Sequence, residues 1–326
     1  MTQPDPGHIA VRYRCFAEQE AHGRSPLYEA LATGVADSPD AIAFLASLPA
    51  AKQQPNLLFA AVRSIFGTPA DWPDFRRMLL SDPDAVRSVM LTHATQTNEP
   101  GRCAVLLPVL AGLPQPLALI EVGASAGLCL LPELYGYDYG RRVLRPSGPA
   151  PIFTCTASAE TPLPDALPRV AWRAGLDLDP LDVTNPAHVA WLETQVWPEQ
   201  TERLERLRAS LAVAATHRPR VVKGDLLGDD LVRLCQEARC EATLVVFHSA
   251  VLAYVADSEA RQAFAERVRK LCHTWIANEV PGTFPGIAHH APAAPAPGRF
   301  LLSVNGSPMA WTDPHGATVD WIADMG

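Results

Sequence analysis

Residues 117–131 read LALIEVGASAGLCLL. Leu117–Val122 is apolar except for Glu121, a short continuous run of the kind that forms a strand buried on both faces. The next five residues, Gly123-Ala124-Ser125-Ala126-Gly127, are all small and let the backbone turn tightly and approach a ligand closely. The apolar pattern that follows predicts a helix over Ala126–Leu134. A strand, a small-residue turn and a helix in that order form half of a parallel α/β unit.

The chain on either side fits this start. Downstream, apolar runs at Val170–Gly175, Arg220–Lys223, Thr243–Phe247 and Thr274–Ala277 read as strands. Helical patterns separate them at Pro186–Ala215, Asp229–Ala238 and Glu259–Leu271, which implies right-handed crossovers and a parallel sheet. Residues 281–298 are a Pro/Gly/Ala loop. From Phe300 the pattern is strand, Asn305-Gly306 turn and returning strand, so the sheet is expected to end in an antiparallel hairpin. Residues 136–169 are rich in Pro and Gly and read as an insertion; PIFTCTA within it (Pro151–Ala157) competes with Val170–Gly175 for the place of second strand. Upstream the pattern is helical. Ser38-Pro39-Asp40, Pro55 and Ser81-Asp82-Pro83 open helices, Gly67 stops one, and another runs from Gly101 to Gly112. The expected division is a helical lid or substrate region over 1–112 and an α/β domain over 113–326.

Composition narrows the function. A hydrophobic content of 48% supports a sizeable core. A net charge of −8 offers no basic excess for a phosphate backbone, so nucleic acid is not an expected partner. No apolar run is long enough for a membrane span, and the first residues lack a secretory pattern, so a cytoplasmic protein with a small-molecule substrate is expected. The seven cysteines are scattered without Cys-x-x-Cys and read as reduced thiols rather than a zinc site. His289-His290 lacks spaced carboxylates or further ligands, and no metal is expected.

The small-residue turn has three readings. Gly123-x-Ser125-x-Gly127 matches the nucleophile elbow of α/β-hydrolases, with Ser125 as nucleophile, but that fold needs several strands before the elbow, where this chain has helices. The dinucleotide fingerprint fails, because Ser125 and Leu128 stand at its second and third glycines. The third reading rests on order. Acidic and polar groups close successive strands: Glu121 before the turn, Asp177 and Asp179 after Val170–Gly175, Asp225 after Arg220–Lys223, and His248-Ser249 after Thr243–Phe247. All would lie at the carboxyl ends of parallel strands, where open α/β sheets bind ligands. An ionised carboxylate only accepts hydrogen bonds, which suits ribose hydroxyls; an Asx-turn is the plainer role for Asp179, and a loop cap for Asp225. Asn98 and Arg102 begin the helix before the first strand, so they lie on the ligand side; Asn98 also suits a helix cap.

Over residues 100–280 this order resembles class I S-adenosylmethionine-dependent methyltransferases. Glu121, Gly123, Ser125 and Gly127 resemble that family's acidic-Gly motif, with Ser at the middle glycine. The resemblance implies a Rossmann-like, mostly parallel sheet that binds S-adenosylmethionine. It places Glu121, Gly123, Ser125, Gly127, Asp177, Asp179 and Asp225 at the cofactor, with Asn98 and Arg102 near its methionine carboxylate. His248 then faces the acceptor as the catalytic residue, where the family often has an acidic group. A serine hydrolase using Ser125 and a non-catalytic nucleotide-binding module are the alternatives. Nearly the full chain also resembles bacterial domain-of-unknown-function family 2332, through TQTNEPGR, IEVGASAGL, GLDLDPLD, VWPEQTERLERL and VVFHSAVLAYV. That family implies no activity.

Overall fold

The computed structural model describes residues 6–238 and 241–322. The chain forms two compact units, residues 1–97 with 186–205, and residues 98–185 with 206–326. This differs from the division at 112/113: the helix Arg102–Gly112 belongs with the sheet, and 186–205 belongs with the N-terminal helices.

The first unit is helical. Ser38 accepts a hydrogen bond from the Ala41 N–H and opens Pro39–Ala46. Pro55–Phe66 stops at Gly67, whose φ is +86°. Asp82 likewise caps Pro83–Thr92. The core is aromatic: Phe59 packs against Tyr13, Phe16, Tyr28 and Phe75 with ring centroids 4.8–6.2 Å apart. Each such pair contributes about 0.5–1.5 kcal/mol beyond its buried area. The returning segment is held by Arg63, which donates to the Thr194 and Val196 carbonyls, and by Trp197, which donates to Asn56.

Among the described residues the second unit carries twelve strands: β1 (Leu117–Val122), β2 (Gly136–Asp138), β3 (Val143–Leu144), β4 (Ile152–Thr154), β5 (Thr156–Ala157), β6 (Val170–Asp177), β7 (Val221–Lys223), β8 (Thr243–Ser249), β9 (Thr274–Glu279), β10 (Phe300–Val304), β11 (Ser307–Thr312) and β12 (Thr318–Trp321). Nine form one sheet in the order β5-β12-β11-β10-β9-β8-β1-β6-β7. The block β7-β6-β1-β8-β9 is parallel throughout, and β9 to β12 continue antiparallel. The chain leaves β1 for β6 and β7, then crosses back to β8 on β1's other flank. Open α/β sheets bind ligands at such a reversal, at the carboxyl ends of the strands, and here it falls between β1 and β8. The turn at Asn305-Gly306 has φ of +52° and +87°, as a tight two-residue hairpin requires.

On one face of β1, Ala118, Ile120 and Val122 pack with Leu231 and Leu234 of the helix Asp230–Glu237 and with Phe264 and Val268 of Ser258–Leu271. Glu121 alternates with them and projects from the other face.

Several expectations are corrected. β6, not Pro151–Ala157, is the second strand beside β1. Of the latter segment, β4 joins a small side sheet, β3-β2-β4, and β5 pairs with β12. Ala126–Leu134 is not an α-helix but two 3-10 turns, Leu128–Leu130 and Pro132–Leu134; Gly127 is left-handed, and Pro132 cannot donate to a helical ladder. The pattern over 186–215 is two helices, Pro186–Thr194 and Thr201–His217. Within 281–298, Pro285–Ala288 forms one helical turn. Cys15, Cys103, Cys129, Cys155, Cys235 and Cys272 are free thiols; Cys240 lies outside the described residues.

Candidate functional site

The turn after β1 is braced from three sides. Gly123 and Gly127 both have φ of +73°, and Ser125 has φ of +50°. Asp177, closing β6, accepts the Ser125 N–H at 2.7 Å on one oxygen and the Asp179 N–H at 2.8 Å on the other. Asn98 donates to the Ala124 carbonyl at 3.2 Å and accepts from the Leu128 N–H at 3.1 Å. Both side chains expected to meet a ligand are therefore engaged in shaping the turn. A Cβ on Gly123 would lie 2.3 Å from Val251 Cγ2, so the loop after β8 packs directly on the first glycine.

Behind the turn lies a buried polar cluster. Burial pushes the Glu121 carboxyl well above the usual carboxylate range; Cys129 and Asp177 add to the shift and Arg102 opposes it. Glu121 Oε2 and Ser125 Oγ are buried and have no hydrogen-bond partner. Arg102 donates to the Pro314 carbonyl at 2.8 Å and the Ser249 carbonyl at 3.1 Å, which ties its guanidinium to the backbone. Cys129 donates to the Glu99 carbonyl, and Glu99 accepts from the Gly101 N–H. At the ends of β8, β9 and β11, Asn278 donates to Ser249 Oγ and accepts from Thr312 Oγ1.

His248 is enclosed by the fold. It is fully buried among the rings of Phe264, Trp275 and Phe284. Trp275 Nε1 donates to its Nε2 at 3.0 Å, and its Nδ1 meets Glu279 Oε1 at 2.7 Å. An indole N–H can only donate, so Nε2 is the acceptor and the ring proton is on Nδ1. Both nitrogens are thus engaged. The expectation that His248 faces an acceptor is corrected: the histidine holds the ends of β8 and β9 together. Ser125 Oγ also has no base bonded to it, so the Gly-x-Ser-x-Gly string lacks the activating partner of a hydrolase.

The remaining expected residues form an exposed rim. Asp179 is exposed, with its Oδ1 3.7 Å from Lys223 Nζ. Asp225 is exposed and caps the Leu227 N–H. Leu178 and Leu227, after β6 and β7, and Tyr254 and Val280, after β8 and β9, are large apolar side chains left exposed at this end of the sheet. His289 and His290 are exposed. Among the described residues, no three His, Cys, Asp or Glu side chains are grouped to hold a metal ion, and no helix is long and apolar enough to cross a membrane.

Sequence reasoning missed Glu279, Trp275, Asn278 and Thr312. Glu279 carried the same signal as Glu121, an acidic residue closing an apolar strand. The partnership of Asn278 with Thr312 is set by strand order and left no local mark.

Fold and site define an α/β protein with a large, mostly parallel sheet and a polar cluster buried at the carboxyl ends of its central strands. The chain belongs to the family described as "Uncharacterized protein conserved in bacteria (DUF2332)", which matches residues 10–321. No curated protein and no solved structure matches it.

Proposed function

We propose that the protein is a Rossmann-like, S-adenosylmethionine-dependent methyltransferase acting on a small molecule. The observation that carries this reading is the strand order: the acidic-Gly turn follows the central strand of a parallel β7-β6-β1-β8-β9 block, at the point where the order reverses.

The residues fit the adenosine half of this cofactor best. Exposed Asp179, just after β6, offers an acceptor for a ribose diol, while Asp177 holds the turn beneath it; exposed Leu178 and Leu227, after the neighbouring strands β6 and β7, offer apolar faces for a planar base beside Asp225. Near the turn, Glu121 Oε2 and Ser125 Oγ are the polar atoms without partners. Asn98 and Arg102 do not suit the methionine carboxylate as they stand, since both are engaged with backbone. The bound cofactor supplies an activated methyl on a sulfonium, so the chain's own task is to align an acceptor and exclude water. No general base is assigned, because both nitrogens of His248 are engaged. The serine-hydrolase reading has less support, since Ser125 lacks a bonded base.

Calorimetric titration with S-adenosylmethionine and S-adenosylhomocysteine tests the reading. Saturable one-site binding is expected, weakened at least about tenfold by Leu178→Glu and by Leu227→Glu, two surface changes that leave the core intact. Absence of saturable binding to the wild-type protein would discard the assignment and leave a non-catalytic module.

A further inference from the structure

We infer that the carboxyl end of β9 is a subsite for a primary ammonium group, with Glu279 as its counter-charge. Glu279 is 2% exposed. One of its oxygens, Oε1, accepts three hydrogen bonds: from His248 Nδ1 at 2.7 Å, Val251 N at 3.0 Å and Leu252 N at 3.1 Å. The other, Oε2, is buried and has no partner. A carboxylate taken out of water normally meets a cation or a full set of donors. Here no Lys or Arg among the described residues lies within ion-pair distance, and the histidine on Oε1 is in the Nδ1–H form that Trp275 imposes.

A cavity beside this carboxylate supplies the space. Ala277, Glu279, Val280, Phe284, Leu301 and Ser303 line it. Leu301 pairs with Glu279 and Ser303 with Ala277, so the four side chains share one face of the sheet. The cavity holds a group about the size of one water molecule. Its walls are apolar apart from Glu279 and Ser303, and Val280, itself part exposed, stands at its edge. An –NH3+ group on a narrow alkyl stem matches this chemistry: it is small, it donates to Oε2, and its charge offsets the carboxylate. A neutral hydroxyl supplies only the hydrogen bond. A quaternary ammonium has no N–H and is too wide.

This subsite stands without the cofactor assignment, and its test omits S-adenosylmethionine so that the two fail separately. The full-length protein is titrated calorimetrically with methylammonium, n-butylammonium, tetramethylammonium and 1-butanol. Saturable binding of the two primary ammonium ions is expected, with butanol and tetramethylammonium at least about tenfold weaker. Glu279→Gln keeps an acceptor for the three donors on Oε1 and places an N–H2 where Oε2 stood. It should abolish ammonium binding while the unfolding temperature holds. Val280→Trp, which leaves the carboxylate untouched, should also block it. Equal binding by butanol, undiminished binding in folded Glu279→Gln, or no saturable binding by wild type would overturn the proposal; the last would mean that one buried water occupies the cavity.

Discussion

Asp177 shows how far residue type and residue role can diverge. An acidic residue closing the second strand reads as a ligand acceptor, yet each of its oxygens takes a backbone N–H of the chain itself. Asp177→Ala leaves both donors without an ionic acceptor and should lower stability by about 2 kcal/mol in urea unfolding. Asp179→Ala, at an exposed position, should fall within about 0.5 kcal/mol of wild type. Glu121 differs because burial raises its carboxyl. In the unfolded chain this group loses its proton near its ordinary value, while the folded chain retains it. The native state then binds more protons, and stability falls as pH rises above that ordinary value, by up to about 1.4 kcal/mol per pH unit until the raised value is reached. Glu121→Gln removes the titration. Its stability relative to wild type should climb in denaturant titrations as pH rises above the ordinary carboxylate range; a pH-independent difference would mean that burial does not raise Glu121.

At the scale of elements, the turn after β1 is set by packing as much as by backbone freedom. Gly123→Ala meets both a φ of +73° and Val251 Cγ2 at 2.3 Å. The expected loss is about 2–4 kcal/mol. Adding Val251→Ala should recover the steric part and leave the backbone part, and a double-mutant cycle in urea separates them. The strands of the parallel block were legible because each holds a short, largely apolar run, and Leu117–Val122 is read to its ends. The hairpin was legible from Asn305-Gly306. The helix expected over Ala126–Leu134 was not there, because the apolar pattern records burial and does not distinguish a helix from two 3-10 turns. Polar residues at strand ends were found by position, but their partners were not. His248 and Trp275 lie 27 residues apart and meet only because β8 pairs with β9.

At the scale of the whole molecule, long-range closure organises the chain. The discontinuous first unit was hidden because 186–205 continues a helical pattern, and nothing local marks that Trp197 belongs beside Asn56. The large sheet likewise ends where β5 pairs with β12, joining Thr156 to Thr318. Deleting residues 307–322 strips β11 and β12, bares the edge of β10 and leaves β5 unpaired. Such a chain should elute as aggregate in size-exclusion chromatography, since an open apolar edge templates further pairing. A monomer with wild-type circular dichroism would contradict the closing role of these strands.

The packing of Gly101 against Gly316 has a consequence for biosynthesis. A Cβ on Gly316 would lie 2.0 Å from the Gly101 carbonyl oxygen, and Arg102 holds the Pro314 carbonyl. Both contacts join the start of the polar cluster to residues far downstream, Arg102 and Pro314 being 212 positions apart. The ribosome adds residues in order, so the helical N-terminal segments can begin to form while translation continues. The polar cluster cannot close until residues 314–316 have been made and have left the ribosome. A chain cut short before residue 314 therefore carries its N-terminal helices and an unfinished polar cluster, which exposes it to proteolysis.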